Sequence, residues 1–180
     1  MFSGQLDAQG RFCGPRGVYV SSTYDIFCGP WEAGALDGAQ CQIHYANGDV
    51  YSGAMAQNKR HGFGRLAYPD GSYYQGGWAK GVKTGLAKAF DAATGNSYIG
   101  AYQDGLPHGE GTLQYANGSS FVGSFQQGLR HGPGKLIRRR RVRDPNAPPA
   151  EVGLSSGYIE KEGEWEVHEG SWFLGQLQIA

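Results

Sequence analysis

Hydrophobic and polar residues alternate along most of this chain in short runs separated by glycine-containing turns. The stretch Gly64-Arg65-Leu66-Ala67-Tyr68-Pro69-Asp70-Gly71-Ser72-Tyr73-Tyr74-Gln75-Gly76-Gly77-Trp78 shows the unit: an alternating run, Asp70-Gly71, and a second alternating run. A period of two sends successive side chains to opposite faces of a strand. Asp-Gly and Asn-Gly supply the positive φ angles of tight hairpin turns. The pattern predicts β-hairpins, with Tyr74, Gly76 and Trp78 on one face and the glycine leaving a gap between two rings.

The unit recurs. Glycine flanked by large apolar residues appears as Phe27-x-Gly29-x-Trp31, Tyr51-x-Gly53-x-Met55, Tyr74-x-Gly76-x-Trp78, Tyr98-x-Gly100-x-Tyr102 and Phe121-x-Gly123-x-Phe125, with central glycines 24, 23, 24 and 23 residues apart. Asp37-Gly38, His61-Gly62, Thr84-Gly85, His108-Gly109 and His131-Gly132 keep the same step. So do the turn dipeptides Asn47-Gly48, Asp70-Gly71, Thr94-Gly95 and Asn117-Gly118. Each unit is too short for a pair of helices, and the His-Gly segment reads as the opposite turn, leading into the next unit. The fold predicted is all-β: an elongated, single-layer antiparallel meander in which each repeat contacts its neighbours. Two strands per unit at about 4.8 Å give a sheet on the order of 60 Å long, held by aromatics stacked above glycines along one face. Residues 1–26 read as a degenerate N-terminal repeat, 27–137 as the array, 138–167 as a charged hairpin insertion, and 168–180 as a final unit cut short.

Composition sharpens this. Thirty-one of 180 residues are glycine, and 13% are aromatic. Glycine without a period of three excludes collagen, and so many aromatics argue against disorder. Net charge is +0, which gives no overall attraction to nucleic acid or an anionic membrane. No apolar run approaches the ~20 residues of a membrane span, and the opening Met1–Gly14 stretch does not read as a secretory signal. Cys13, Cys28 and Cys41 are an odd number without a CxxC pair, and read as reduced thiols.

The combination of YxGxW, a further glycine, HGxG, an alternating strand and DG resembles the MORN repeat (membrane occupation and recognition nexus). It is clearest from Tyr51 to Gly71, from Tyr98 to Gly118 and from Phe121 to Gly134. Gln40 and Ala87 replace the last glycine of HGxG, and Thr84 its histidine, so those units should turn differently. The resemblance implies non-enzymatic scaffolding. With no appended domain in the sequence, it further suggests a small stand-alone member similar to axonemal and radial-spoke-associated proteins, in the cytoplasm and cytoskeleton of a cilium or flagellum.

Enzymatic chemistry finds no support in the residues. Equivalent histidines such as His108 and His131 would stand about 10 Å apart, too far to share a zinc ion whose nitrogen ligands lie at about 2.0–2.1 Å. Gly76 to Lys83 has GxxxxG with Val82 where a phosphate loop needs lysine. The expectation is no catalysis, no metal and no cofactor.

Two features invite partners. Trp31, Tyr51, Tyr74, Trp78, Tyr98, Tyr102, Phe121 and Phe125 would line a groove able to receive a helix or extended segment of a cytoskeletal protein. Arg138, Arg139, Arg140, Arg141 and Arg143 could face an anionic partner, or be neutralised by the glutamates of Tyr158–Glu166 across a Pro-rich loop. Unpaired strands near Phe2 and Trp172 offer edges for self-association. The alternative function is a peripheral phospholipid-binding module, which needs those arginines free; membrane lipid ranks below protein as a partner, and nucleic acid is not expected.

Overall fold

The computed structural model describes the backbone of residues 1–143 and 158–178, and the side chains of 1–139 and 164–178. Fifteen strands occur among the described residues. The first five are β1 (Phe2–Leu6), β2 (Phe12–Val20), β3 (Ile26–Glu32), β4 (Ala35–Leu36) and β5 (Gly38–His44). The next five are β6 (Val50–Ala56), β7 (Lys59–Ala67), β8 (Tyr73–Ala79), β9 (Val82–Asp91) and β10 (Asn96–Gln103). Then come β11 (Leu106–Gln114), β12 (Ser120–Gln126), β13 (Leu129–Arg143), β14 (Tyr158–Phe173) and β15 (Gln176–Gln178). They form one antiparallel meander in chain order, open at β1 and β15, with β4 a side branch of β3. The all-β, single-layer expectation agrees with this.

A line of glycines crosses the sheet. The registers pair Gly17 with Gly29, Gly53 with Gly64, Gly64 with Gly76, Gly100 with Gly111, Gly111 with Gly123, Gly123 with Gly134, and Gly134 with Gly170. Cys41 and Ala87 fill the remaining places. The seam exists because aromatic rings lie flat over it. A Cβ on Gly64 would sit 2.3 Å from the Tyr51 hydroxyl, one on Gly111 2.3 Å from that of Tyr98, and one on Gly134 2.3 Å from Phe121 Cζ. Gln40 is therefore not the residue that replaces a seam glycine; it is exposed, and Cys41 takes the place.

The turn assignment needs correcting. His61, His108 and His131 lie inside β7, β11 and β13. Opposite the two-residue step from Gly53 to Met55, β7 spends four residues between Gly64 and Arg60, and the surplus is absorbed around Gly62 at φ 68°. β11 and β13 do the same opposite Gly100/Tyr102 and Gly123/Phe125. A left-handed glycine within a paired strand makes a bulge, not a reversal. The reversals are two-residue turns with both φ angles positive, at Gln57-Asn58, Lys80-Gly81, Asp104-Gly105 and Gln127-Gly128, the geometry that matches strand twist.

On the other side of the sheet the Asn-Gly and Asp-Gly loops turn as expected, but through a longer path. Gly48 N donates to Tyr45 O at 2.9 Å, Tyr45 N donates to Asp49 O at 2.9 Å, and of the dipeptide only Gly48 has positive φ.

Consecutive units are also bonded turn to turn. Asn58 N donates to Leu36 O, Gly81 N to Arg60 O, Gly105 N to Lys83 O, Gly128 N to Pro107 O and Gly175 N to Arg130 O, all at 2.8–3.0 Å. The last bond spans 45 residues where the one before it spans 21, because the long strands β13 and β14 lie between its ends. β14 runs unbroken through the boundary at 167/168 that separates insertion from truncated repeat in the sequence reading.

Candidate functional site

Strand alternation puts the large rings on one side of the sheet, here called the ladder face. Between the end members Tyr51 and Trp172, each ring touches one in its own unit and one in an adjacent unit, edge to face: Tyr51–Trp78 at 5.7 Å, Tyr74–Trp78 at 5.0 Å, Tyr74–Tyr102 at 5.0 Å and Tyr98–Tyr102 at 5.4 Å. The zigzag continues through Tyr98–Phe125 at 5.0 Å and Phe121–Phe125 at 5.3 Å to Phe121–Trp172 at 5.2 Å. Such pairs favour edge-to-face contact because ring edges are positive and faces negative. Their polar atoms are satisfied locally. The Tyr51, Tyr74 and Tyr98 hydroxyls donate to the carbonyls of Ala54, Gly77 and Ala101 at 2.7, 2.8 and 3.1 Å. Trp78 Nε1 donates to Gly64 O at 3.2 Å. Arg60 and Arg130 lie 4.2 Å over Trp78 and Trp172, where a cation is attracted to the ring face.

This changes the part played by the eight aromatics named from sequence. Trp31, Tyr51, Tyr74, Trp78, Tyr98, Tyr102, Phe121 and Phe125 are all buried, none more than 9% exposed. They form the core of a sheet that has no second layer. Burial pushes the hydroxyls of Tyr51, Tyr74, Tyr98 and Tyr102 up to about 12. It also pushes the Cys41 thiol up to about 11, which keeps it protonated and unreactive at neutral pH.

What a partner can reach lies above this floor. Leu66, Leu113 and Leu136 recur beside the Tyr row, but in β9 the position is Ala89, paired with Tyr74 and Tyr98. Two residues further along, Tyr45, Tyr68 and Tyr115 recur, and β9 has Asp91. The smaller side chain leaves a recess of about 370 Å³, walled by Tyr68, Lys83, Asp91 and Leu113 over Tyr74 and Tyr102. Lys83 Nζ lies 3.3 Å from the Tyr68 hydroxyl and 4.9 Å from the Tyr74 ring. The hydrogen bonds of the Asp91 carboxyl, Thr94 first, hold it below its ordinary range, so the recess has a cation on one side and an anion on the other. Sequence reading missed Ala89 and Asp91, although the break in the Leu and Tyr rows was the available signal.

A family profile for the MORN repeat matches residues 51–73, 74–88, 98–120 and 121–139. The match takes in 80 of the 180 residues, in four repeats. They point to a scaffold that binds proteins or membranes. No curated protein matches the chain. Among solved structures, the TCP domain of SAS-4 (dCPAP) of Drosophila melanogaster, in complex with a proline-rich motif of Ana2 (dSTIL), aligns over 91% of this chain and 75% of that chain, with 16% identity and a TM-score of 0.44.

The arginine run leaves the last matched repeat along β13. Arg138 Nε meets Glu166 Oε1 at 2.5 Å, and Lys135 meets Glu169 at 2.8 Å. His168 Nε2 lies 3.3 Å from the same Glu166 oxygen without the alignment of a hydrogen bond. His168 and Arg138 together hold the Glu166 carboxyl below its ordinary range. Arg139 faces Trp165 across the strand pair, with the guanidinium 5.8 Å from the ring, so among the described residues it pairs with an aromatic. The backbone of Arg141 pairs with Glu160, and that of Arg143 with Tyr158; the side chains of Arg140, Arg141 and Arg143 lie outside the described residues, as does the Pro-rich loop. Among the described residues no group of three His, Cys, Asp or Glu could hold a metal ion.

Proposed function

We propose that this protein is a non-enzymatic scaffold that holds a segment of a protein partner on its ladder face, with one partner side chain seated in the recess over Ala89. One observation carries the reading: within the array, β9 has Ala89 and Asp91 where neighbouring units have leucine and tyrosine, which opens a hollow of about 370 Å³ flanked by Lys83 and Asp91, whereas the recess of about 430 Å³ over Trp31 at the N-terminal end is lined mainly by the rings of Phe12, Tyr19 and Phe27. The supporting frame is stiff because strand pairing, ring contacts and turn-to-turn bonds all run between adjacent units. A structure with contacts of this kind suits a spacer or adaptor in a cytoskeletal assembly, and the resemblance noted from sequence directs the search to the axoneme of a cilium or flagellum. The ion pairs of Arg138 and Lys135 favour this reading over a phospholipid-binding module. The open edges at β1 and β15 add a route to self-association.

The test uses Ala89→Leu, which restores the residue type of neighbouring units and fills the hollow. The variant should fold and melt like the parent but lose its cross-linked partner in flagellated cells, while the parent stays with the axoneme through detergent and then high salt. Partner retention by Ala89→Leu removes the recess from the account. Release of the parent by detergent alone makes membrane association the leading function.

A further inference from the structure

The second face of the sheet carries a different surface. From Lys59 to Phe173, every exposed large hydrophobic side chain of the described strands lies opposite the ladder, by strand alternation from the paired registers. Leu86 is 79% exposed, Phe63 63% and Ile99 55%, and Leu106, Val122 and Leu129 are also open. Scattered single residues would need no explanation, but a whole face of them marks an interaction surface.

Among the described residues the charges on this face are unbalanced. It presents Lys59, Arg65, Lys88, Lys135 and Arg139 against the carboxylates of Glu110 and Glu169, in a chain whose net charge is +0. Lys135 is already paired with Glu169. Arg65 lies 4.6 Å over the Tyr73 ring, which leaves its charge uncompensated, and no carboxylate of the described residues pairs with Lys88.

Two successive repeats share one arrangement. Phe63 and Arg65 on β7 are matched by Leu86 and Lys88 on β9, two strands on, and Ile99 stands directly beside Lys88 on β10. Two strand spacings are about 9.6 Å, and seven residues of α-helix rise about 10.5 Å. A helix laid across β7 to β10 thus meets one apolar and one cationic site in each of two heptads; in the next repeat Glu110 and Thr112 hold those places.

We infer that this reverse face docks an acidic amphipathic α-helix of a protein partner, its heptad apolar residues on Phe63, Leu86 and Ile99 and its carboxylates toward Arg65 and Lys88. A second copy of the chain stacked face to face would bring the same excess of cations against itself. This site is separate from the ladder-face recess, and neither depends on the other.

The probe is a fluorescent helical peptide of about 21 residues, with leucine on a heptad stripe and glutamate on its flanks; a twin has lysine for every glutamate. Anisotropy should show the acidic peptide binding at least about tenfold more tightly than the twin. Arg65→Glu with Lys88→Glu should reverse that preference, Phe63→Ser with Leu86→Ser should abolish binding, and Ala89→Leu should leave it unchanged. All four positions on this face are exposed, so circular dichroism should report an intact fold. Absence of binding, equal binding of both peptides, or indifference to the reversed charges overturns the inference. Binding to phosphatidylserine vesicles that is lost in the same charge variants overturns it in favour of a membrane.

Discussion

The N-terminal strands and the central array share a seam but not a ladder. Gly17 pairs with Gly29 as Gly53 pairs with Gly64, and Trp31 Nε1 donates to Gly17 O at 3.2 Å as Trp78 Nε1 does to Gly64 O. In the array the rings then form an unbroken zigzag from Tyr51 to Trp172. Before it, Phe2, Phe12, Tyr19, Phe27 and Trp31 make a cluster of their own, with Phe2 stacked on Phe12 at 3.8 Å. The break falls at Met55, in the place held by Trp78, Tyr102 and Phe125 in later units, where Leu36, Cys41 and Ile43 complete an aliphatic joint. Glycine spacing alone therefore builds the sheet; cohesion along it depends on an aromatic in every unit. In a structure of nearest-neighbour contacts, one aliphatic unit interrupts the run of rings, although the buried core continues through it.

The largest test of that difference is deletion of a ring on each side. Phe121→Ala should cost about 4 kcal/mol, because it removes contacts to both Phe125 and Trp172. Phe27→Ala, at a half-buried ring in the N-terminal cluster, should cost about half as much; urea melts of the two variants decide, and equal losses would erase the distinction. Gly111→Ala comes next, at about 2–3 kcal/mol, since the new Cβ would meet the Tyr98 hydroxyl and the seam leaves that ring nowhere to move.

Alkali should act on the array through its hydroxyls. Tyr51, Tyr74, Tyr98 and Tyr102 have folded values near 12 against an ordinary 10.0. The folded state thus keeps protons that the unfolded chain has lost. The stabilisation is complete below pH 10 and disappears as pH rises toward 12. A pH series of melts should show this fall, and Tyr102→Phe should reduce it. The smallest effect is a gain: Met55→Phe should join the two ring systems and add about 0.5–1 kcal/mol. Hydrogen exchange should then rise in protection from β3 into β6; a loss of stability instead would show that the joint has no room for a ring.

The strands, their order and the glycine seam could be read from the chain because alternation and a fixed step of 23 or 24 residues are local signals. The turns were legible only in part. His61-Gly62 and Lys80-Gly81 both place glycine at positive φ, and nothing local distinguishes a bulge from a reversal; the pairing of neighbouring strands does. The aromatic rows were found by spacing, whereas their burial was not, since it depends on the ring that each unit receives from the next. The ion pair of Arg138 with Glu166 followed from opposed charges, while Arg139 met Trp165 because the register that joins Arg138 to Glu166 places the next residue of β13 opposite the preceding residue of β14, an aromatic.

By itself the sequence determined that this protein is a one-layer meander with rings on one face, because side-chain alternation and the absence of Cβ atoms act within a strand and its nearest partner. Tertiary structure decided what each face is for. Rings that sequence offers as a contact surface bury one another once adjacent units dock, Ala89 becomes a recess only between Tyr74 and Tyr98, and the accessible apolar side chains gather on the reverse face because nothing is stacked against it. Exposure is a property of neighbours, and here the deciding neighbours lie a whole repeat away.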